Sequence, residues 1–191
     1  KITQGTDSNS TSIRIRGIGS VGTNVGIDPS VGVFIDGVYQ GRAGMSIGDL
    51  IDIQRVEILR GPQGTLYGKN TAAGAISIIT QPPSPDGLES TAELTYNNDE
   101  RTEVRGMVNV PLGESGHATR LTGYTVNGDH LYENTYTGEG LNDTNKWGLK
   151  SRTLFDASGN GFGEFLFTAD YAKEDTDCCA LAVIQYEGLS N

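Results

Sequence analysis

The residues of this 191-residue chain whose types and spacing could do chemistry are few: two histidines, two adjacent cysteines and two glycine patterns. Gly17-Ile18-Gly19-Ser20-Val21-Gly22 spells G-x-G-x-x-G after a strand-like run. A dinucleotide site also needs a helix opening at the third glycine, so that its N-terminus meets the pyrophosphate. Gly26 and Pro29 stand where that helix would run, and Asp36, near the spacing of a ribose ligand, cannot replace it. Gly68-Lys69 resembles a phosphate loop, but Gln63 stands where its first glycine belongs and Asn70 where Ser or Thr belongs. His117 and His130 fall in turn or loop segments, with neither zinc-ligand spacing nor the buried setting of a catalytic triad. Cys178-Cys179 suits a disulfide in an oxidising compartment, vicinal or to a cysteine elsewhere, with metal ligation as the alternative. No catalytic constellation survives, so the expectation is a protein that is not an enzyme and holds no cofactor.

Charge and composition then divide the chain. The net charge of -10 excludes a nucleic-acid partner, because phosphate neutralisation needs surplus Lys and Arg. That charge is uneven. Residues 1–86 hold 7 basic and 7 acidic side chains, whereas residues 87–191 hold 7 basic and 17 acidic ones. The join is Gln81-Pro82-Pro83-Ser84-Pro85-Asp86-Gly87, which can continue neither helix nor central strand. Two domains are expected, 1–86 and 87–191. In the first, Ser12–Arg16, Val31–Ile35, Arg55–Leu59 and Ala75–Ile79 suggest short strands, with a helical turn at Met45–Ile51.

The second half alternates with period two, which predicts strands near 88–96, 103–112, 119–126, 147–155 and 164–171. Trp147, Leu149, Thr153 and Phe155 oppose Lys150 and Arg152, and Phe165, Phe167, Ala169 and Tyr171 oppose Glu164, Leu166, Thr168 and Asp170. Short Gly-rich turns at 111–117 and 157–163 alternate with a long polar loop at 127–146 and, after Tyr171, a second expected loop; the exception is Asn97–Arg101, a tight turn on the long-loop side. Short turns on one rim and long loops on the other are the habit of outer-membrane barrels. Tyr96, Trp147 and Tyr171 then form an aromatic girdle on the apolar face. A soluble β-sandwich is the alternative that this pattern leaves open.

The run RVEILRGPQGTLYGKNTAAGAISIIT, residues 55–80, closely resembles the plug signature of TonB-dependent outer-membrane receptors. IRIRGIGS at 13–20 and VGVFIDGVYQGR at 31–42 fit the same plug in the same order. The resemblance implies a mainly β protein: a small mixed α/β plug domain inside a transmembrane antiparallel β-barrel, with about five of the family's 22 strands present. Five strands cannot close a barrel, and open edges are costly in hydrocarbon, so a fragment of a longer receptor is expected. It implies active uptake of a scarce nutrient across the Gram-negative outer membrane, most often a ferric siderophore, with haem, cobalamin and glycans as alternatives. The implied partners are the TonB complex of the inner membrane, outer-membrane lipid and lipopolysaccharide, and the iron chelate itself.

The resemblance also suggests sites. Outward plug loops would contact substrate through Tyr39, Gln40, Arg42 and Met45; the alternative for Arg42 is a pair with a barrel acid. Arg55, Glu57 and Arg60 of the plug need ionic partners, and Glu89, Glu93 and Glu103 of the wall are available. Pairing of Glu57 and Arg60 within the plug is the alternative.

Overall fold

A computed structural model describes residues 2–3, 12–19, 28–41, 50–98, 100–113, 116–129, 132–133, 140–141 and 143–175. The N-terminal unit contains a short antiparallel pair, β1 (Ile2–Thr3) with β2 (Ser12–Ile13). Its main element is a mixed four-stranded sheet of β3 (Val31–Ile35), β4 (Val38–Gln40), β5 (Ile53–Arg60) and β6 (Gly74–Thr80). The order is β4-β3-β6-β5, with β3 and β6 parallel and the outer pairings antiparallel. The central strands β3 and β6 are buried almost throughout, which is why both are unbroken apolar or small-residue runs, VGVFI and GAISIIT. Ile13, Ile15, Val31, Val33, Ala73, Ile76 and Ile78 form the core, with Ile35 and Leu50 packed against it.

Three features differ from the sequence expectation. The run 12–16 bends at once, because Ile15 and Ile18 exchange hydrogen bonds around Arg16-Gly17, both in left-handed backbone. A strand at 38–40 and a helical turn at Gly64–Tyr67 appear where none was expected. The turn expected at Met45–Ile51 lies largely outside the described residues; Leu50 and Ile51 at its end are not helical.

Asp36-Gly37 joins β3 to β4 in the tightest hairpin available, with Ile35 paired to Val38 and φ of 49° and 84° at the two turn residues. An Asp-Gly pair tolerates that left-handed backbone where most residues would not.

The second unit is one antiparallel sheet of long strands: β7 (Glu89–Tyr96), β8 (Thr102–Pro111), β9 (Ala118–Gly128), β12 (Thr144–Asp156) and β13 (Glu164–Asp175). They pair in the order β7-β8-β9-β12-β13. Between β9 and β12 lies a small pair, β10 (Tyr132–Glu133) with β11 (Gly140–Leu141). Strand β13 runs on to Asp175, so Glu174 and Asp175 belong to the sheet and not to a loop after Tyr171. Strands of 8 to 13 residues are long enough to cross a hydrocarbon core when tilted. One face exposes Leu94, Tyr96, Val104, Leu121, Trp147, Leu149, Phe155, Phe165, Phe167 and Tyr171. A soluble protein rarely leaves so continuous an apolar face open to water. The rings of Trp147 and Tyr171 lie 5.4 Å apart on it, while Tyr96 stands two residues nearer the rim than the Trp147 rung.

Candidate functional site

The other face of the large sheet meets the N-terminal unit. One rung crosses all five strands in register: Glu89, Asn109, Arg120, Arg152 and Thr168. Period-two alternation places all five on the inner face, and three of them, Asn109, Arg120 and Arg152, are buried.

Asp52 precedes β5 in left-handed backbone, with φ of 55°. Its carboxylate accepts a two-pronged bond from Arg120, at 2.6 Å from Nε and 2.7 Å from Nη2. The third nitrogen, Nη1, reaches Glu89 at 3.3 Å. This planar, paired geometry is the strongest form of carboxylate recognition open to a side chain.

Asp36 anchors the second contact. It accepts from the Thr80 amide at 2.9 Å, the Thr80 hydroxyl at 2.8 Å and Lys150 Nζ at 3.0 Å. Burial pushes its carboxyl up, but the bonds from Thr80 and Lys150 outweigh this and hold it below the usual carboxylate range. Arg152 Nη1 donates to the carbonyls of Thr80 and Gln81 and to the Thr80 hydroxyl, at 2.6 to 2.9 Å, with Asp36 4.0 Å away.

Asn109 completes the belt. It accepts from the Ser84 amide at 2.9 Å and donates to the carbonyls of Ser84 and Gly87 at 2.8 and 2.9 Å. The proline join is thereby sewn to β8. Chemically this is a clamp: two carboxylates and one stretch of backbone held by three cations and one amide. Among the described residues, no group of His, Cys, Asp and Glu has the arrangement to hold a metal ion.

Residues 1–75 match the family model of the TonB-dependent receptor plug domain. The chain carries a TonB-dependent receptor plug domain. The small unit is the plug, the large sheet is barrel wall, and the setting is the Gram-negative outer membrane. The pesticin receptor of Yersinia pestis is 52% identical over 56 residues, 29% of this chain and 8% of that protein. The vitamin B12 transporter BtuB of Vibrio vulnificus is 30% identical over 130 residues, 65% of this chain and 21% of its own length. Among solved structures, the ferric yersiniabactin uptake receptor FyuA of Yersinia pestis matches with a TM-score of 0.65 and 28% identity, over 80% of this chain and 24% of that one. The pyoverdine receptor FpvA of Pseudomonas aeruginosa, at 20% identity, shares the fold with a TM-score of 0.69 over 92% of this chain and 24% of that one. The chain thus spans under a quarter of each of these relatives.

The plug–wall contact has the opposite polarity to the one expected from the sequence. Plug carboxylates meet wall cations; the expected plug cations do not meet Glu89 or Glu93. Arg55 pairs with Glu57 on the same strand at 2.7 Å, near solvent, because residues two apart share one face of β5. Arg60 is exposed at the end of β5, and Glu93 is exposed on β7. Glu89 serves Arg120 of its own wall, and Glu103 pairs with Arg105 along β8.

Of the expected substrate residues, the structure describes two and does not bring them together. Tyr39 packs on Phe34 at 5.6 Å and accepts from Asn70 at 2.9 Å, inside the plug's own aromatic cluster. Gln40, on the opposite face of β4, lines a cleft between plug and wall. Arg42, Met45, Cys178 and Cys179 lie outside the described residues. Sequence reasoning missed Asp36, Asp52, Asn109 and Arg120. The available signal was Asp36-Gly37, a two-residue hairpin pair that places Asp36 at the tip between β3 and β4.

Proposed function

We propose that this chain is the plug and opening wall of a receptor that actively imports a scarce nutrient across the outer membrane. The cargo class is a ferric siderophore, and the energy comes through contact with the TonB complex. The observation behind this reading is the clamp of Asp36 and Asp52 on Arg120, Lys150 and Arg152. Covalent or purely apolar attachment would make the plug a permanent stopper. Directional ionic bonds keep it seated yet let a pull release it contact by contact. The cargo class draws support from the two structural relatives, whose names specify ferric yersiniabactin and pyoverdine. The 30% identity with a vitamin B12 transporter favours cobalamin as the second reading. Lipopolysaccharide on the exposed apolar face, Leu94 to Tyr171, is part of the same proposal.

The test is accumulation of labelled ferric siderophores and of labelled cobalamin by cells whose only receptor is the intact protein. Iron chelate accumulation that vanishes without TonB is expected. Accumulation of cobalamin alone would transfer the cargo assignment, and uptake indifferent to TonB would sink the mechanism.

A further inference from the structure

Two of the wall cations that grip the plug also face a carboxylate on the wall itself. Lys150 of β12 stands directly opposite Asp170 of β13, so both side chains project from the same face. Lys150, Asp170 and the plug's Asp36 line one cleft of about 600 Å³ between plug and wall. Lys150 nevertheless bonds Asp36, at 3.0 Å, and leaves Asp170 exposed. Arg120 repeats the pattern: its Nε–Nη2 fork is on Asp52, and Nη1 alone touches Glu89.

We infer that Asp170 is the receiving partner for Lys150 when the plug withdraws Asp36, with Glu89 serving Arg120 in the same way as Asp52 leaves. The clamp opens by exchange of partners. A cation stripped of its carboxylate at a half-buried site is costly, and a waiting carboxylate removes much of that cost. Lysine suits the task, being a compact charge on a flexible four-carbon stem that can swing between acceptors a few ångströms apart. Among the described residues, no carboxylate stands directly opposite Arg152. Its neighbours across the sheet are Arg120 and Thr168, and it holds backbone carbonyls of Thr80 and Gln81. It is the fixed anchor at the plug's exit, while Lys150 and Arg120 are the releasing contacts.

The inference rests on the proposed function in one respect, that the plug moves against the wall. Its test therefore reads plug movement without cargo. Thr122, buried on β9 and opposite Lys150 on the face that meets the plug, is a position that withdrawal of the plug uncovers. In the intact receptor, the rate of thiol labelling at Thr122→Cys, corrected for the parent protein, reports that withdrawal. Asp170→Asn should slow labelling roughly two- to fivefold, the worth of one exposed ion pair in the open state. In an Asp36→Asn background the effect should vanish, because Lys150 then rests on Asp170 whether the plug is seated or withdrawn. In a Lys150→Met background Asp170→Asn should be silent, and Asp170→Glu should behave like the parent throughout. Unchanged or faster labelling in Asp170→Asn, or slowing that persists without Lys150, overturns the exchange. If the receptor imports no iron chelate the cargo reading fails, while the labelling cycle still decides the exchange.

Discussion

Arg120 and Arg152 stand directly opposite each other on β9 and β12, two buried guanidiniums on one rung of the wall. Like charges at directly opposed positions destabilise a sheet. The rung is stable because the plug lies over it: Asp52 takes the fork of Arg120, and Thr80 and Gln81 take Arg152. Wall and plug are therefore electrostatically incomplete without each other.

Removing one acid should expose that dependence. Asp52→Asn keeps the shape of the side chain but leaves Arg120, 7% exposed, with only Glu89 at 3.3 Å. Breaking one partner out of a buried pair costs roughly 3–5 kcal/mol, and the residual Glu89 contact places this variant at the lower end, about 3 kcal/mol. Plug unfolding in urea should shift accordingly, and cells should admit large antibiotics that the parent excludes. A midpoint within error of the parent would show that the fork contributes little.

The pH dependence follows from Asp36. Its carboxyl is held below its ordinary value of 3.8, so the seated plug binds fewer protons there than the released one. The sign is fixed by linkage: the contribution is fully present above the ordinary value and fades as pH falls through the lowered one. Plug stability of the parent and of Asp36→Asn should differ by a constant amount above about pH 5 and converge below pH 3.8. Curves that stay parallel down to acid denaturation would remove Asp36 from the account.

Why was this belt hidden in the sequence while the wall was not? Alternation in Trp147–Phe155 assigns Lys150 and Arg152 to the face opposite Trp147, and the register of β12 agrees. The family of the plug is legible in residues 55–80. Pattern tells which face a side chain takes, however, and not what faces it across a gap closed by folding. Asp52 and Arg120 are 68 residues apart, and Asp36 and Lys150 are 114 apart. The net charge of residues 87–191 suggested an acidic wall seeking plug cations. Yet Arg120, Lys150 and Arg152 concentrate basic charge where the plug touches. Arg55 and Glu57, two apart on one strand, satisfy each other locally, which no count of charges reveals.

Asn109 should hold the linker as firmly as the arginines hold the plug. It is fully buried and makes three hydrogen bonds to the backbone of Ser84 and Gly87. Asn109→Ala leaves those groups without partners, at roughly 1–3 kcal/mol for the buried ones. Asn109→Asp keeps the acceptor for the Ser84 amide but sets a carboxylate against two carbonyl oxygens. Both variants should become sensitive to protease cleavage within 81–88 while the strands of the wall stay resistant. Resistance equal to the parent would mean that the buried Pro83 and its neighbours fix the linker unaided.

Gly74 offers a test of the plug's core that bypasses charge. It opens β6 with φ of 150°, and a Cβ there would lie 2.3 Å from the Leu59 carbonyl oxygen and 2.8 Å from Ile15 Cδ1. The first of these is backbone of the paired strand β5 and cannot rotate away. Gly61, with φ of 91° and nothing within 4 Å of its Cβ position, has the backbone demand without the collision. Gly61→Ala should cost about 1–2 kcal/mol, the left-handed penalty alone. Gly74→Ala should cost more than about 3 kcal/mol, since separating β5 from β6 also opens the core around Ile76 and Ile78. Urea unfolding of the two variants separates strain from collision. Equal losses would mean that β5 yields to the added methyl, and the plug's edge would then be looser than its ladder of bonds to β6 implies.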